Sequence, residues 1–524
     1  MNLHMPQLGA LRWTLAALTL VASLAAAPNN TLASEDAPLA TAQMRQAADL
    51  TPAMLDNIEA YTAAILDRYQ VPGAAVAVVQ HGQMIYSRGF GTTQLGEGQP
   101  VTPDTRFIYG SLGKGMTAQM IGTLVDEGRL SWDTPVVDVL PQFVLADPAS
   151  TATVTFRDLL SMRSGLPRFD APLFVATYTP SQLLEVLAET PLLGAPGEAY
   201  GYSNAGYAAA GFAAANIGAE PGDDLYARYA DLMQDRFFGP VGMRRITMDF
   251  DVGANDPNHA SPHTLDSLTG EVIAIPLERE RFGVAVSPAG GATWSSVEDV
   301  AAYLALQLRY GVGPDGRRVV SEASILETWK AHTPTGSGDD FGLGWIVGPD
   351  YQGLTQLSYA GGNLGFSSYV SFLPEADLAV AVLTNAALAV PFMKSVPAYV
   401  YETALRLEHS ADATYAAEGS MIQGFLREMA NMLEPGVNSA AFADVMGRYD
   451  NSVVRLNSAG QPEISTVFGN FLLYPVTGME GTYAIQSALS AVTTFQPTPD
   501  GRMAMTITFV LGDPQPPATY LRTP

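Results

Sequence analysis

From Asp56 to Tyr69 apolar positions recur at helical spacing, which predicts an amphipathic helix. The pattern then changes to a β-hairpin, with Ala74–Gln80 as one arm, His81-Gly82 as the turn and Met84–Arg88 as the return arm. A helical period comes back after Ser111. Met116, Met120, Leu124 and Val125, with Ile121 beside them, lie on one face, and Gly128 supplies the stop. Residues 130–290 mix helices with long loops rich in Gly and Pro, such as 161–170 and 192–207. A helix is predicted over Val297–Arg309, with Ser295 and Ser296 as caps. Strands dominate from Phe341: Gly344–Val347, Leu354–Tyr359, Ser367–Leu373, a turn at Pro374–Asp377, then Leu378–Thr384. A helix near Met393–Leu407 follows, and 408–440 reads as a partly helical connector. From about Phe442 the strands become short: Arg448–Tyr449, Ser452–Leu456, Phe471–Pro475, Thr482–Ile485, Val492–Gln496 and Met503–Val510. Such a run predicts a small all-β domain, sandwich or barrel.

Composition narrows the picture. The 524 residues, 47% of them hydrophobic, suffice for two or more domains with a large core. A net charge of −25 with no basic run argues against nucleic acid and anionic membrane surfaces as partners. The acidity fits solubility or a salty habitat and carries no claim about substrate. Residues 1–27 have the form of a secretory signal peptide, with Arg12 ahead of the short apolar run Trp13–Ala27. That run is shorter than the ~20 residues a spanning helix needs, so no membrane span is expected after its removal. The chain has no cysteine, which excludes disulfides, thiolate metal sites, a cysteine nucleophile and a lipid-anchored cysteine. The expectation is a periplasmic or secreted protein.

Three stretches carry candidate chemistry. In the first, Ser111-Leu112-Gly113-Lys114 opens a helix, and residues three apart on a helix share a face. A serine hydroxyl beside a lysine amine is a nucleophile with a base, provided the amine is tuned by burial or a neighbouring cation. The positive end of the helix dipole favours the alkoxide. A lone Ser-x-x-Lys arises often by chance, and serine at a helix start is a common cap. Against that, the chain has only three lysines, Lys114, Lys330 and Lys394, and uses arginine elsewhere. The second stretch is Tyr202-Ser203-Asn204, where a phenol can relay a proton and an amide can hold both a lysine and a substrate carbonyl. The third is the glycine-rich 358–366, whose Gly361 and Gly362 let a substrate lie along a strand edge and free a backbone N–H for an oxyanion.

In this order the three stretches resemble the serine β-lactamase and penicillin-binding-protein superfamily, in particular its class C β-lactamase-like branch. Val71-Pro72-Gly73-Ala74-Ala75-Val76, Asp104-Thr105-Arg106-Phe107 and Leu124–Leu130 are similar to family text. So are Leu159–Pro167, Gly290-Gly291-Ala292, Phe341–Trp345 and Leu383-Thr384-Asn385. The resemblance spans roughly residues 50–405 and implies an α/β (α+β sandwich) fold, a mostly antiparallel sheet flanked by helices with an inserted helical lobe. It places a β-lactamase-like hydrolase domain at 50–407, a connector at 408–440 and a C-terminal β domain at 441–524, which resembles the lipocalin-like domain of some members. It implies Ser111 as nucleophile, Lys114 as base or electrostatic partner, Tyr202 as proton relay and Asn204 as substrate-orienting amide. Tyr359, Gly361 and Gly362 would bind substrate, with the N–H groups of Ser111 and Gly362 as oxyanion hole.

The implied reaction is acyl transfer through an acyl-enzyme on a small-molecule or peptide substrate, with no cofactor and no metal. His259 and His263 are four apart, but Pro262 breaks any helix between them. One departure bears on substrate. The family's third motif is usually Lys-Thr-Gly or His-x-Gly, and here it is Tyr359-Ala360-Gly361. A phenol in place of a cation counts against a true β-lactamase or a D-Ala-D-Ala carboxypeptidase and less against an esterase or amidopeptidase. Met162-Arg163-Ser164 stands where His-Thr-Ser is common, a change expected to affect only packing. The competing expectation is an inactive homologue that keeps the cleft for ligand or cell-wall binding.

Overall fold

The predicted hairpin forms one side of an eight-stranded sheet in the computed structural model, as β1 (Gly73–Gln80) and β2 (Gln83–Gly91). The structure describes residues 47–168, 178–277, 284–348, 351–387, 389–434, 442–466, 469–486, 491–509 and 518–523; the signal-like segment 1–27 lies outside them. Two short ladders pair β3 (Phe107–Ile108) with β6 (Trp294–Ser295) and β4 (His263–Leu265) with β5 (Val272–Ala274). The main sheet is completed by β7 (Thr333–Pro334), β8 (Asp340–Phe341), β9 (Ile346–Val347), β10 (Leu357–Asn363), β11 (Phe366–Leu373) and β12 (Leu378–Thr384). Its order is β2-β1-β12-β11-β10-β9-β8-β7, with antiparallel neighbours throughout.

β1 and β12 are buried on both faces, and the pleat divides their side chains between two cores. Ala75, Ala77, Val79, Ala379, Ala381 and Leu383 face one core, and Ala74, Val76, Val78, Val380 and Val382 face the other. The second core is closed by α1 (Pro52–Arg68), which starts at Thr51 as cap, and by a later helix, Val390–Ala404. The first holds α2 (Gly113–Asp126), α3 (Asn204–Asn216) and α4 (Val297–Leu308). α3 is rich in alanine and buried on every side from Ala205 to Ala215, so it is the central rod of the helical lobe. The helix start expected at 295–296 is set by Ser296, whose side chain accepts from the Asp299 N–H.

The connector is more helical than its sequence suggested, with one long helix over Ala411–Asn431. Beyond it lies an eight-stranded antiparallel meander, β13 to β20: Gly447–Tyr449, Ser452–Leu456, Pro462–Thr466, Gly469–Pro475, Thr482–Ile485, Ala491–Pro497, Met503–Phe509 and Ala518–Leu521. A bridge between Tyr449 and Arg522 brings the last strand back to the first, and Phe442, Tyr449, Ile464, Phe495 and Met505 fill the interior. The strands at 462–466 and 518–521 were not anticipated. The first contains Pro462 and Glu463, and the second has only four residues, Ala518-Thr519-Tyr520-Leu521, so neither has a sustained apolar signal. The meander meets the main sheet at the β10–β11 turn. Leu364, at the β10–β11 turn, contacts both its core and the first core of the main sheet. No described helix is long and apolar enough to cross a membrane.

Candidate active site

Ser111 lies in a single 3-10 turn, Gly110–Leu112, that leads into α2. No side chain caps either helix start, so the Ser111 hydroxyl is not spent on capping. It accepts a hydrogen bond from Lys114 Nζ at 3.0 Å and lies 2.8 Å from the Tyr202 hydroxyl. Lys114 is fully buried. It also donates to Asn204 Oδ1 at 2.7 Å and to the Ala289 carbonyl at 3.0 Å. The other two lysines pair with partly buried glutamates, Lys330 with Glu327 and Lys394 with Glu418.

Tyr202 and Asn204 flank the start of α3. Ser203 is the cap, its hydroxyl accepting from the Gly206 N–H at 3.1 Å, so its neighbours on either side are fixed relative to the helix. The cap and the two candidate site residues therefore belong to one turn. Met162 steadies the approach, against the expectation that it would only pack. Its carbonyl accepts from the Gly201 N–H at 2.7 Å and its sulfur from the Ser203 N–H at 3.2 Å. Burial pushes the Tyr202 phenol up, but the charges of Lys114 and Arg168 and hydrogen bonds from Lys114 and Ser111 bring it below its ordinary value. The Lys114 Nζ and the Arg168 guanidinium carbon each stand 4.9 Å from the centre of the Tyr202 ring.

β10 closes the site. Beyond Ser358 its ladder is to β11 alone, and the Ser111 turn lies against the strand. A methyl group at Gly361 would stand 2.1 Å from the Tyr109 carbonyl and 3.1 Å from the Ser111 nitrogen, so only glycine lets the strand approach the turn. Gly110, with φ of +60°, meets the strand from the other side: a methyl group there would stand 2.7 Å from the Gly362 nitrogen. Gly362 itself is exposed. Tyr359 points inward with Leu357 and Gly361, is only 5% exposed, and packs its ring against Phe341 with centroids 5.7 Å apart. Burial, then the nearby Tyr202, Tyr207 and Tyr200, push its phenol well up, so it is neutral at ordinary pH.

Thus Ser111, Lys114, Tyr202 and Asn204 converge, Gly361 and Gly362 border them, and Tyr359 lies beneath the site. The Ala289 carbonyl had not been singled out, and Met162 had been noted only for packing. Ala289 precedes the Gly290-Gly291 pair, which was the only sign in the sequence that this turn comes close to α2. His263 is tied to the Leu95 N–H and the Asn385 carbonyl, and His259 to the Asp256 carbonyl. Among the described residues no group of three or more His, Cys, Asp or Glu side chains is placed to hold a metal ion.

Comparison with known proteins bears on the family and the fold. The Beta-lactamase family matches residues 57–405. Penicillin-binding protein 4 of Amycolatopsis lactamdurans is 30% identical over 342 residues, covering 63% of this chain and 84% of that protein. Unguisins hydrolase ungD' of Aspergillus campestris is 29% identical over 338 residues, covering 61% of this chain and 59% of that protein. Protein flp of Staphylococcus aureus is 22% identical, covering 61% of each chain. The chain thus spans only 59% of the fungal relative and 61% of the staphylococcal one. In fold it is similar to the octameric penicillin-binding protein homologue from Pyrococcus abyssi, with a TM-score of 0.58, 20% identity and coverage of 89% of this chain and 100% of that one. It is also similar to SurE solved with D-Leu, with a TM-score of 0.52, 21% identity and coverage of 89% and 99%. The sheet, the helical lobe and a family match over most of the chain lead to one assignment: this protein belongs to the Beta-lactamase family.

Proposed function

We propose that this protein is a secreted or periplasmic serine hydrolase that cleaves an ester or a small amide or peptide bond through an acyl-enzyme on Ser111. The observation that carries the reading is the closed set of contacts joining Ser111, Lys114, Tyr202 and Asn204. Lys114 Nζ is tied to Ser111, Asn204 and the Ala289 carbonyl, and the Tyr202 phenol, 2.8 Å from Ser111 Oγ, is held below its ordinary value; on this reading Tyr202 takes the serine proton and Lys114 supports it electrostatically. Ser111 Oγ then bonds to the substrate carbonyl carbon. The oxygen of that carbonyl, now negative, is received by the Ser111 and Gly362 N–H groups. Tyr202 returns its proton to the leaving alcohol or amine as the bond to it breaks. Water then gives a proton to Tyr202 as its oxygen bonds to the acyl carbon, and Tyr202 passes that proton to Ser111 Oγ as the ester bond breaks, which releases the acid and restores the enzyme.

The relatives' names, an unguisins hydrolase and a penicillin-binding protein, support acyl transfer as the reaction class. The class C-like branch, the signal at 1–27 and the hydrolase and C-terminal β domains at 50–407 and 441–524 belong to the same reading. The test is labelling by a fluorophosphonate and by a penicillin, read by peptide mass spectrometry, beside hydrolysis of p-nitrophenyl esters, D- and L-aminoacyl amides and nitrocefin. Adduct on Ser111 with turnover of at least one substrate class is expected. An unlabelled Ser111 with no turnover would favour the inactive, ligand-binding homologue.

A further inference from the structure

Thr117 lies one turn into α2 and is fully buried. Its hydroxyl stands 2.9 Å from the Gly113 carbonyl, 2.7 Å from the Tyr229 hydroxyl and 2.6 Å from the Pro288 carbonyl. A threonine that bonds only to the carbonyl four residues back is ordinary in a helix. The other two contacts are not local, since Tyr229 belongs to the helix Leu225–Met233 and Pro288 is 171 residues away. A hydroxyl has one proton to give, and a carbonyl can only accept. Were that proton given to Tyr229 or Gly113, the Pro288 oxygen would face Thr117 Oγ1 at 2.6 Å with no hydrogen between them. The order that satisfies both distant contacts is Tyr229 O–H to Thr117 Oγ1 and Thr117 O–H to the Pro288 carbonyl. Burial pushes the Tyr229 phenol up, which keeps it protonated as the donor.

Pro288 is next to Ala289, whose carbonyl takes Lys114 Nζ at 3.0 Å. The two are the inner residues of a turn closed by the Gly290 N–H on the Ser287 carbonyl at 2.8 Å. The turn is tightly seated on its other sides. A methyl group at Gly290, where φ is +96°, would stand 1.7 Å from the Gly110 carbonyl, and one at Gly211 of α3 would stand 2.5 Å from Pro288 Cβ. We propose that Thr117, oriented by Tyr229, is a positioning residue for the reaction: it holds the Ser287–Gly290 turn so that the Ala289 carbonyl keeps Lys114 Nζ beside Ser111 and Tyr202. The inference rests on the serine-hydrolase reading and deepens it, carrying the support of the site back into the helical lobe. The charged and titratable groups about Tyr202 are Lys114 from α2, Arg168 from the preceding loop, Tyr200 and Tyr207 from its own segment and Tyr359 from β10. The Lys114 charge lowers the phenol's pKa, so a lysine less firmly placed leaves that pKa higher. The phenolate then persists over a narrower range, and the acid limb of the rate moves to higher pH.

The experiment uses the full chain as wild type, Thr117→Val, Thr117→Ser and Tyr229→Phe. It follows kcat, KM and the pH profile of kcat/KM on the p-nitrophenyl ester or aminoacyl amide that wild type turns over fastest. Thr117→Val keeps the side chain's shape and removes the hydroxyl. It should lower kcat by about tenfold to a hundredfold, the effect of a small misplacement of a positioned group, with KM little changed. Its acid limb should move to higher pH. Thr117→Ser restores a hydroxyl and should recover most of the rate and the wild-type limb. Tyr229→Phe leaves Thr117 its proton but not its orienting donor, and should move the limb the same way by less. An unmoved limb in Thr117→Val, whether or not kcat falls, is what packing alone would give and overturns the proposal. A Thr117→Ser limb displaced as far as that of Thr117→Val does the same, as does a wild type with no acid limb. If Thr117→Val does not fold, Tyr229→Phe decides, and a wild-type limb there overturns the proposal. All these outcomes leave acyl transfer on Ser111 intact. No turnover of any substrate by wild type and no acylation of Ser111 by the fluorophosphonate removes both.

Discussion

The Tyr202 hydroxyl stands 2.8 Å from Ser111 Oγ, although the two residues are 91 apart in the chain and belong to different helix starts. Neither is a cap. Ser203 does the capping for α3, and α2 begins with no side-chain cap. Each hydroxyl is therefore left for the other, and this predicts how the two substitutions differ from ordinary cap removal.

Ser111→Ala should abolish turnover and leave stability close to wild type, because no helix loses a cap, a contact otherwise worth about 1 kcal/mol. Steady-state kinetics beside urea denaturation tests both halves. Activity within tenfold of wild type would remove Ser111 from the nucleophile role.

Lys114→Ala should lose nearly as much activity as Ser111→Ala, and the double variant little more, since groups acting as a unit are non-additive. Unlike the serine variant it should also unfold more easily. It removes a donor from Asn204 Oδ1 and leaves the buried Ala289 carbonyl without its Lys114 donor, at a cost of about 1–3 kcal/mol for that acceptor. Independent, multiplying losses in kcat would contradict a coupled pair.

Tyr202→Phe should lower kcat by ~10²–10⁴ with the fold unchanged, the usual share of general acid–base catalysis. The pH profile carries the sign. The phenolate is the active form, and its pKa lies below the ordinary 10.0. In wild type kcat/KM should fall as pH drops through that lowered pKa, and Tyr202→Phe should lose this limb. A profile with the same limb in both proteins would assign the base elsewhere.

Tyr359 shows where sequence reasoning stopped. Its departure from the family motif was plain in the one-dimensional text, as was the Ser111-Lys114 pair, because both belong to short contiguous patterns. What Tyr359 faces was not, since the inward direction of β10 at this residue depends on the register with β11. Ala289 stayed hidden for a related reason, since it acts through a backbone carbonyl that any residue type has; Met162 was visible in the sequence, but its sulfur contact to the Ser203 N–H was not. The hairpin, α2 and β12 were legible because they are apolar and regular. The strands at 462–466 and 518–521 lack that regularity. With 5% exposure, Tyr359 lies too deep to meet a substrate carboxylate. Tyr359→His should then place an imidazole where burial keeps it neutral, and leave the preference between a free and an amidated substrate carboxylate unchanged within about threefold. A gain in that preference at low pH would show that position 359 does reach the substrate.

The last prediction concerns the junction between the C-terminal meander and the main sheet. Asp266, next to β4, accepts hydrogen bonds from Gln486 Nε2 at 2.7 Å and from the Tyr474 hydroxyl at 3.3 Å. Its remaining oxygen takes the Leu268 and Thr269 N–H groups. Burial pushes this carboxyl up, but the Gln486 and backbone hydrogen bonds outweigh it and hold it below its ordinary value. A depressed carboxyl stabilises the contact fully above the unfolded pKa, which is near 3.9, and loses that contribution as pH falls through the folded value. Acidification below about pH 4 should thus loosen the meander before the main sheet. Asp266→Asn keeps the side chain's size but puts a donor where two donors point, and should reproduce the loosening at neutral pH. Hydrogen exchange across residues 447–509 and around Leu364, compared with β1 and β12, reads the effect. Equal protection in Asp266→Asn and wild type at pH 7 would show that Leu364 and the apolar contact hold the junction without this carboxylate.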